Sequence, residues 1–146
     1  MFRGRFEYSI DAKGRLSVPV RFREVLSTSY DPRLIVTNFD QCLWAYPVPE
    51  WVELERKVGE LPQFLDEVKA LQRVFISAAT ECPIDKQGRI LLPPSLRDYA
   101  GLDREVVMVG MTKRIEIWSK ERWSAVFTEA QDKLESMGER LAELGI

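Results

Sequence analysis

"IDAKGRLSVP" occupies residues 10–19 and "IDKQGRILLP" residues 84–93, almost the same phrase written 74 residues apart in a chain of 146. Sliding the sequence against itself by that interval aligns Glu7 with Glu81, Asp11 with Asp85, Gly14 with Gly88, Arg15 with Arg89, Pro19 with Pro93 and Arg23 with Arg97. The interval extends without a gap to Leu43-Trp44 against Ile117-Trp118, which predicts a duplication of roughly 45 residues. A second tryptophan follows in each copy, Trp51 and Trp123, but two residues out of step, so the helix starts are expected to have drifted.

Each copy opens as strand, turn, strand. "FEYSI" and "RLSVPV" flank Asp-Ala-Lys-Gly, and "TECPI" and "RILLPP" flank Asp-Lys-Gln-Gly, with glycine where a tight hairpin needs positive φ. Pro19 and Pro93 lack the N–H that would continue a ladder, and short helices follow in "VRFREVL" and "SLRDYAGL", where Gly101 is the helix stop. The β-branched and aromatic runs "RLIVTNFDQCLWAY" and "EVVMVGMTKRIEIW" predict further strands. Trp51, Leu54, Val58 and Leu61 have helical spacing, Pro62 breaks it, and Leu65, Val68, Leu71 and Phe75 resume it. Trp123, Phe127, Ala130, Leu134, Met137, Leu141 and Leu144 form a heptad stripe that needs a partner surface, either the protein's own core or a neighbouring subunit.

The composition is that of an ordinary soluble protein, 45% hydrophobic and 30% charged, with no apolar run near the ~20 residues of a membrane span. The charged, aromatic start "MFRGRFEYS" is unlike an export signal, so a cytosolic protein is expected. Cys42 and Cys82 have no CxxC partner and read as small buried hydrophobes. The net charge of −2 hides an asymmetry: residues 1–26 hold six Lys/Arg against three Asp/Glu, leaving the rest of the chain at −5.

Catalysis has little to stand on. The chain has no histidine, no dinucleotide or Walker loop and no nucleophile elbow. The acids of "ELERKVGE" and "EAQDKLESMGERLAE" alternate with Lys and Arg at helical spacing and read as solvated faces. Asp11 and Asp85 as a catalytic or metal-binding pair is the sharper alternative, but turn chemistry accounts for both. No catalytic residue, metal or cofactor is predicted.

A single Asp-x-x-Gly-Arg turn needs no ligand: Asp bonds the turn backbone, Gly permits the left-handed step, and Arg returns to pair with Asp. Two such turns shift the weight toward an external partner. Lys13 and Arg15 on one tip and Lys86 and Arg89 on the other would present paired basic prongs to duplex DNA, whose major groove admits a β-ribbon. Trp44 and Trp118, at matching positions in apolar runs, read as core rather than base-stacking residues.

The segments "MFRG", "IDAKGRLSVPVRFRE", "TNFDQCLWAYPVPEW", "ISAATECPIDKQGRILLPPSLRDYAGL" and "VGMTKRIEIWSKERW" together resemble the MraZ family of bacterial transcriptional regulators, over residues 1 to about 123. The resemblance implies an α+β chain built as a duplicated swapped-hairpin β-barrel of double AbrB/SpoVT type with flanking helices. Its parts would be a first domain at 5–47, a helical linker at 48–75, a second domain at 76–119 and a C-terminal helix at 120–146. It also implies a ring-shaped homo-oligomer that binds short direct repeats in double-stranded promoter DNA upstream of its own operon of cell-division and cell-wall genes, in the cytoplasm at the nucleoid.

Arg15 and Arg89 match the family's motif arginines and Lys13 lies in the matched turn. In the second turn Lys86 stands at the position of Ala12 and Gln87 at that of Lys13, so the two tips differ in charge. The expected DNA contacts are Arg15, Arg89, Lys13 and Lys86, with Arg3 and Arg5 of the basic start, and Asp11, Gly14, Asp85 and Gly88 shape the turns. Two other readings stand beside this one: an antitoxin of the same superfamily, or a ring scaffold that does not bind DNA.

Overall fold

A computed structural model describes residues 1–28 and 31–146. Among the described residues eight strands run β1 Arg5–Ser9, β2 Arg15–Ser17, β3 Arg33–Phe39, β4 Cys42–Pro47, β5 Thr80–Pro83, β6 Arg89–Leu91, β7 Glu105–Met111 and β8 Arg114–Ser119. The helices are α1 Val20–Ser27, α2 Val48–Gly59, α3 Asp66–Leu71, α4 Pro94–Ala100, α5 Lys120–Ser136 and α6 Gly138–Glu143, and α3 continues into one π-helical turn at Gln72–Ile76.

The predicted hairpins close only at their turns. Asp11 N donates to Arg15 O at 3.1 Å and Asp85 N to Arg89 O at 2.9 Å, and beyond those bonds the strands part. β1 of the first repeat pairs with β7 of the second, and β5 of the second pairs with β3 of the first. The six-stranded antiparallel sheet therefore runs β1-β7-β8-β4-β3-β5, while β2 and β6 form a separate two-stranded ribbon. The two repeats are interlocked by strand exchange about a pseudo-two-fold axis. Hydrogen bonds do not close these strands into a barrel: the sheet is open, with β1 and β5 as its edges.

Alternation along the strands sorts the side chains into two layers. Leu34, Val36, Leu43, Ala45, Val106, Met108, Ile115 and Ile117 face one side, where Leu16 and Ile90 of the ribbon, Phe22 of α1 and Leu96 of α4 cover them. On the other side Ile35 and Tyr46 pack against Trp51 of α2 and Phe75, and Val107, Val109 and Trp118 lie under Trp123 and Val126 of α5. The ribbon and the acidic helices α2 and α5 thus lie on opposite sides of the sheet.

The repeat interval is not constant. It is 74 through the turns and the first short helices, but β3 at Arg33–Phe39 matches β7 at Glu105–Met111 and β4 matches β8 at an interval of 72. The β4–β8 pairing agrees: it centres on Trp44 opposite Glu116, with Leu43 against Ile117 and Ala45 against Ile115. Trp44 and Trp118 are therefore not equivalents. Glu116 takes the place of Trp44, Tyr46 that of Trp118, and Trp51 and Trp123 match without drift. The two residues are lost earlier, between the short helix and the next strand. Gly101 ends α4 in the left-handed conformation at φ 63 and turns the chain at once, whereas the first copy has Thr28 in ordinary right-handed geometry there.

Both cysteines are buried and free, and burial pushes the Cys82 thiol up to about 11 and Cys42 higher still, so they behave as apolar packing groups. The terminal stripe is not one helix. Met137 at φ −108, ψ 13 separates α5 from α6, and Leu134, Met137 and Leu144 are exposed. Among the described residues no helix is long and apolar enough to cross a membrane.

Candidate nucleic-acid interface

Each turn is organised by its aspartate. Asp11 Oδ1 accepts from Lys13 N at 3.0 Å and Arg15 N at 2.8 Å, and Oδ2 accepts from Arg15 Nε at 2.6 Å. Asp85 Oδ1 accepts from Gln87 N and Arg89 N, both at 2.9 Å, with Arg89 Nε 3.5 Å from Oδ2. The glycines complete the turns, Gly14 at φ +90 and Gly88 at φ +77, a region open to glycine and costly for other residues.

The bonds from the Arg15 backbone and side chain hold the Asp11 carboxyl at about 2, and the same arrangement lowers Asp85. Both groups titrate below their unfolded value of 3.8, so what they contribute to the turns is complete above that pH and is lost as pH falls through the folded-state value, about 2 for Asp11. Arg15→Gln is expected to move the Asp11 titration upward toward 3.8, read by carboxyl-carbon NMR, while Asp85 stays where it is.

In the ribbon Arg15 pairs with Leu91, Leu16 with Ile90 and Ser17 with Arg89. Leu16 and Ile90 are buried, so Arg15, Ser17, Arg89 and Leu91 share the outward face. Arg15 and Arg89 are diagonal neighbours there, roughly 7–8 Å apart at the backbone, and so not two distant prongs. The turns lie at opposite ends of the ribbon, bonded to the other repeat through Leu92 N to Gly14 O and Val18 N to Gly88 O, both close to 2.9 Å. Lys13 and Lys86 are exposed on those tips. The result is a narrow two-fold strip, with a lysine at each end and two arginines near its centre.

The tips are unequal beyond their charge. Arg15 uses Nε for its aspartate, and its terminal nitrogens have no partner among the described residues. A terminal nitrogen of Arg89 donates to Gln87 Oε1. Gln87, standing where the first turn has Lys13, thus ties its arginine down.

Arg5 does not join the strip. Arg3 is exposed beside Val20, Arg21 and Glu24 of α1. Arg5 points to the other side of the sheet, its guanidinium 4.7 Å from the Phe127 ring of α5. Trp44 and Trp118 are also on that far side, in the aromatic clusters under α2 and α5. Two arginines outside the expected set do flank the strip, Arg23 of α1 and Arg97 of α4. Their signal in the sequence is that they align with each other in the repeat.

A family model described as "MraZ protein, putative antitoxin-like" matches the chain twice, over residues 1–74 and 75–144. The chain belongs to the MraZ family. Among curated relatives, a protein named transcriptional regulator MraZ from Desulforamulus reducens is 47% identical over 144 residues, covering 99% of both chains. Proteins of the same name from Moorella thermoacetica and Desulfitobacterium hafniense are 45% and 47% identical over 146 residues, covering the whole of both chains. The family match divides the sequence near the point where the second copy of the strand-exchanged architecture begins. Its two halves each carry one Asp-x-x-Gly-Arg turn.

Proposed function

We propose that the protein is a sequence-specific DNA-binding transcriptional regulator, not an enzyme, and that it contacts duplex DNA through the β2–β6 ribbon and its two turns. The observation that carries this reading is the placement of charge. Arg15 and Arg89 share the outward face of a two-stranded ribbon with Lys13 and Lys86 at its ends, and the acidic helices lie behind the sheet. A ribbon of this width fits a major groove, where arginine can reach guanine O6 and N7 and lysine can hold phosphate. The two copies, 5–47 and 76–119, act as one barrel-like reading unit closed by the ribbon, and 48–75 and 120–146 serve assembly.

One ribbon offers few charges, so a single subunit would hold non-specific DNA with dissociation constants of only roughly 10⁻⁴ to 10⁻⁶ M. A ring of subunits on successive promoter repeats, upstream of the protein's own operon of cell-division and cell-wall genes, multiplies this by avidity on the order of 10² to 10⁴. The exposed terminal side chains Leu134, Met137 and Leu144 supply a head-to-tail contact for the ring. Such a protein works in the cytoplasm at the nucleoid. The antitoxin reading favoured by the family description differs in requiring a toxin bound to residues 120–146.

The test is a mobility-shift titration on the DNA upstream of the protein's own gene at several salt concentrations. Binding is expected to weaken as salt rises. Arg15→Ala should lose on the order of tenfold in affinity and Arg89→Ala less, because Gln87 already holds Arg89, with the oligomer intact by size-exclusion chromatography. Wild-type affinity in both variants would leave the motif with its turn-forming role alone.

A further inference from the structure

We infer that Arg23 and Arg97 are two phosphate-binding clasps, each carried on a helix of one repeat and laid over the turn of the other. Arg23 leaves α1, donates from Nε to Val18 O at 3.1 Å, and lies flat against Gly88, where a Cβ would stand 2.8 Å from its Cζ. Arg97 leaves α4, donates from Nε to Leu92 O at 3.0 Å, and lies against Gly14, where a Cβ would be 2.8 Å from its Nε. The glycines thus serve twice, giving the turn its positive φ and leaving a bare backbone surface for a guanidinium of the opposite repeat.

Arg23 and Arg97 combine a place over the opposite repeat's turn with the absence of an ion-paired acid. Arg15, Arg33, Arg56, Arg89 and Arg114 are each in an ion pair with a carboxylate, whereas among the described residues Arg23 and Arg97 are in none. A guanidinium has five N–H donors, and each of these has one committed to a carbonyl. Both side chains are half-buried, so the plane is fixed and the remaining donors are held over Gly88 and Gly14, in the turns that also carry Lys86 and Lys13 respectively. The two carboxylates that share a hollow with Arg23, Asp31 and Asp85, are paired with Arg33 and Arg89, and a fixed planar fork with no acid of its own, on a turn that carries a lysine, is the arrangement that receives a phosphodiester, bidentate from the arginine and as a point charge from the lysine. Each tip is then composite: Arg23 serves the second turn and Arg97 the first, although Arg23 is nearer in sequence to Arg15.

This inference rests on the ribbon facing DNA, and the experiment separates the two. Arg23→Gln and Arg97→Gln are measured by salt-titrated fluorescence anisotropy on two duplexes, the region upstream of the protein's own gene and a mixed-sequence duplex of equal length. Glutamine can still donate to Val18 O or Leu92 O, so the melting temperature should hold; Arg23→Lys, which keeps the charge, is the second variant. Each glutamine variant is expected to weaken binding to both duplexes by the same factor, on the order of tenfold. The slope of log affinity against log salt should fall by about one for each contacting copy, and Arg23→Lys should retain most of it. In double-variant cycles Arg23 should couple to Lys86 and not to Lys13, and Arg97 to Lys13 and not to Lys86.

An unchanged slope with a lowered melting temperature would make these arginines struts between helix and turn and overturn the assignment. If Arg15→Ala and Arg89→Ala weaken binding while the glutamine variants do not, the clasps fail and the ribbon reading stands. Absence of DNA binding by the wild-type protein would end both.

Discussion

Phe2→Ala is expected to cost about 3–5 kcal/mol and to lower the melting temperature by on the order of 10 °C. Phe2 is 2% exposed and meets the Phe22 ring edge-on at 5.4 Å, with Phe6 on the same ring at 5.1 Å. Its backbone exchanges two bonds with Thr112, each 2.9 Å, and Gly110 N donates to Gly4 O at 2.8 Å. The first four residues are therefore the anchor by which β1 of one repeat is held on β7 of the other. Gly110→Ala attacks the same anchor from beneath, since a Cβ there would lie 2.5 Å from Arg3 Cα and 2.7 Å from Phe2 C, backbone atoms that no rotamer change can move. Because both substitutions release one segment, their combined cost should be less than the sum, whereas Met1→Ala, at an exposed position, should stay within about 0.5 kcal/mol of wild type. Denaturant melts of the four variants check this. A neutral Gly110→Ala would mean that the N-terminal segment is not fastened to β7.

The features legible in the sequence were those whose causes are local. Asp11, Gly14 and Arg15 build their turn with one another, as do Asp85, Gly88 and Arg89, so a short phrase carried the whole geometry. Strand partners were not legible from alternation, because β1 and β7 pair across about a hundred residues and nothing in "FEYSI" names its neighbour. Only the family resemblance implies the swap. Matching tryptophan to tryptophan gives the wrong register for the later strands, because burial depends on position: the strand geometry aligns Trp44 with Glu116 and Trp118 with Tyr46. Arg5 illustrates the same limit, since one residue's difference in a strand decides which layer a side chain joins, and its parity sends it to α5 and away from the ribbon. Arg23 and Arg97 could be counted as basic but not placed, because their role depends on packing against a turn of the other repeat.

Glu116→Ala is the second large effect expected, about 3 kcal/mol, at the lower end of what removing one partner of a buried pair costs because Arg114 keeps some contact with water. Glu116 stands on the pseudo-two-fold axis opposite Trp44, the position where the repeats meet in the β4–β8 seam. One carboxylate oxygen accepts from Arg114 at 3.0 Å and the other from Trp118 Nε1 at 3.0 Å, and the Arg114 guanidinium lies 3.6 Å from the centroid of a Trp44 ring. Trp44 in turn packs on the clusters under both α2 and α5. Alanine would strand a cation over an aromatic face and leave the Trp118 N–H without an acceptor. Glu116→Gln keeps an acceptor for Trp118 and should cost clearly less. Arg114→Met alone leaves a buried carboxylate with only the indole N–H, and should cost more than the same change made on the glutamine background. The cycle Arg114→Met with Glu116→Gln is therefore expected to show a coupling above about 1 kcal/mol by denaturant unfolding. Additivity within about 0.5 kcal/mol would mean that the seam is held by its hydrogen-bonded ladder and apolar packing alone, with the ion pair contributing nothing to the joining of the repeats.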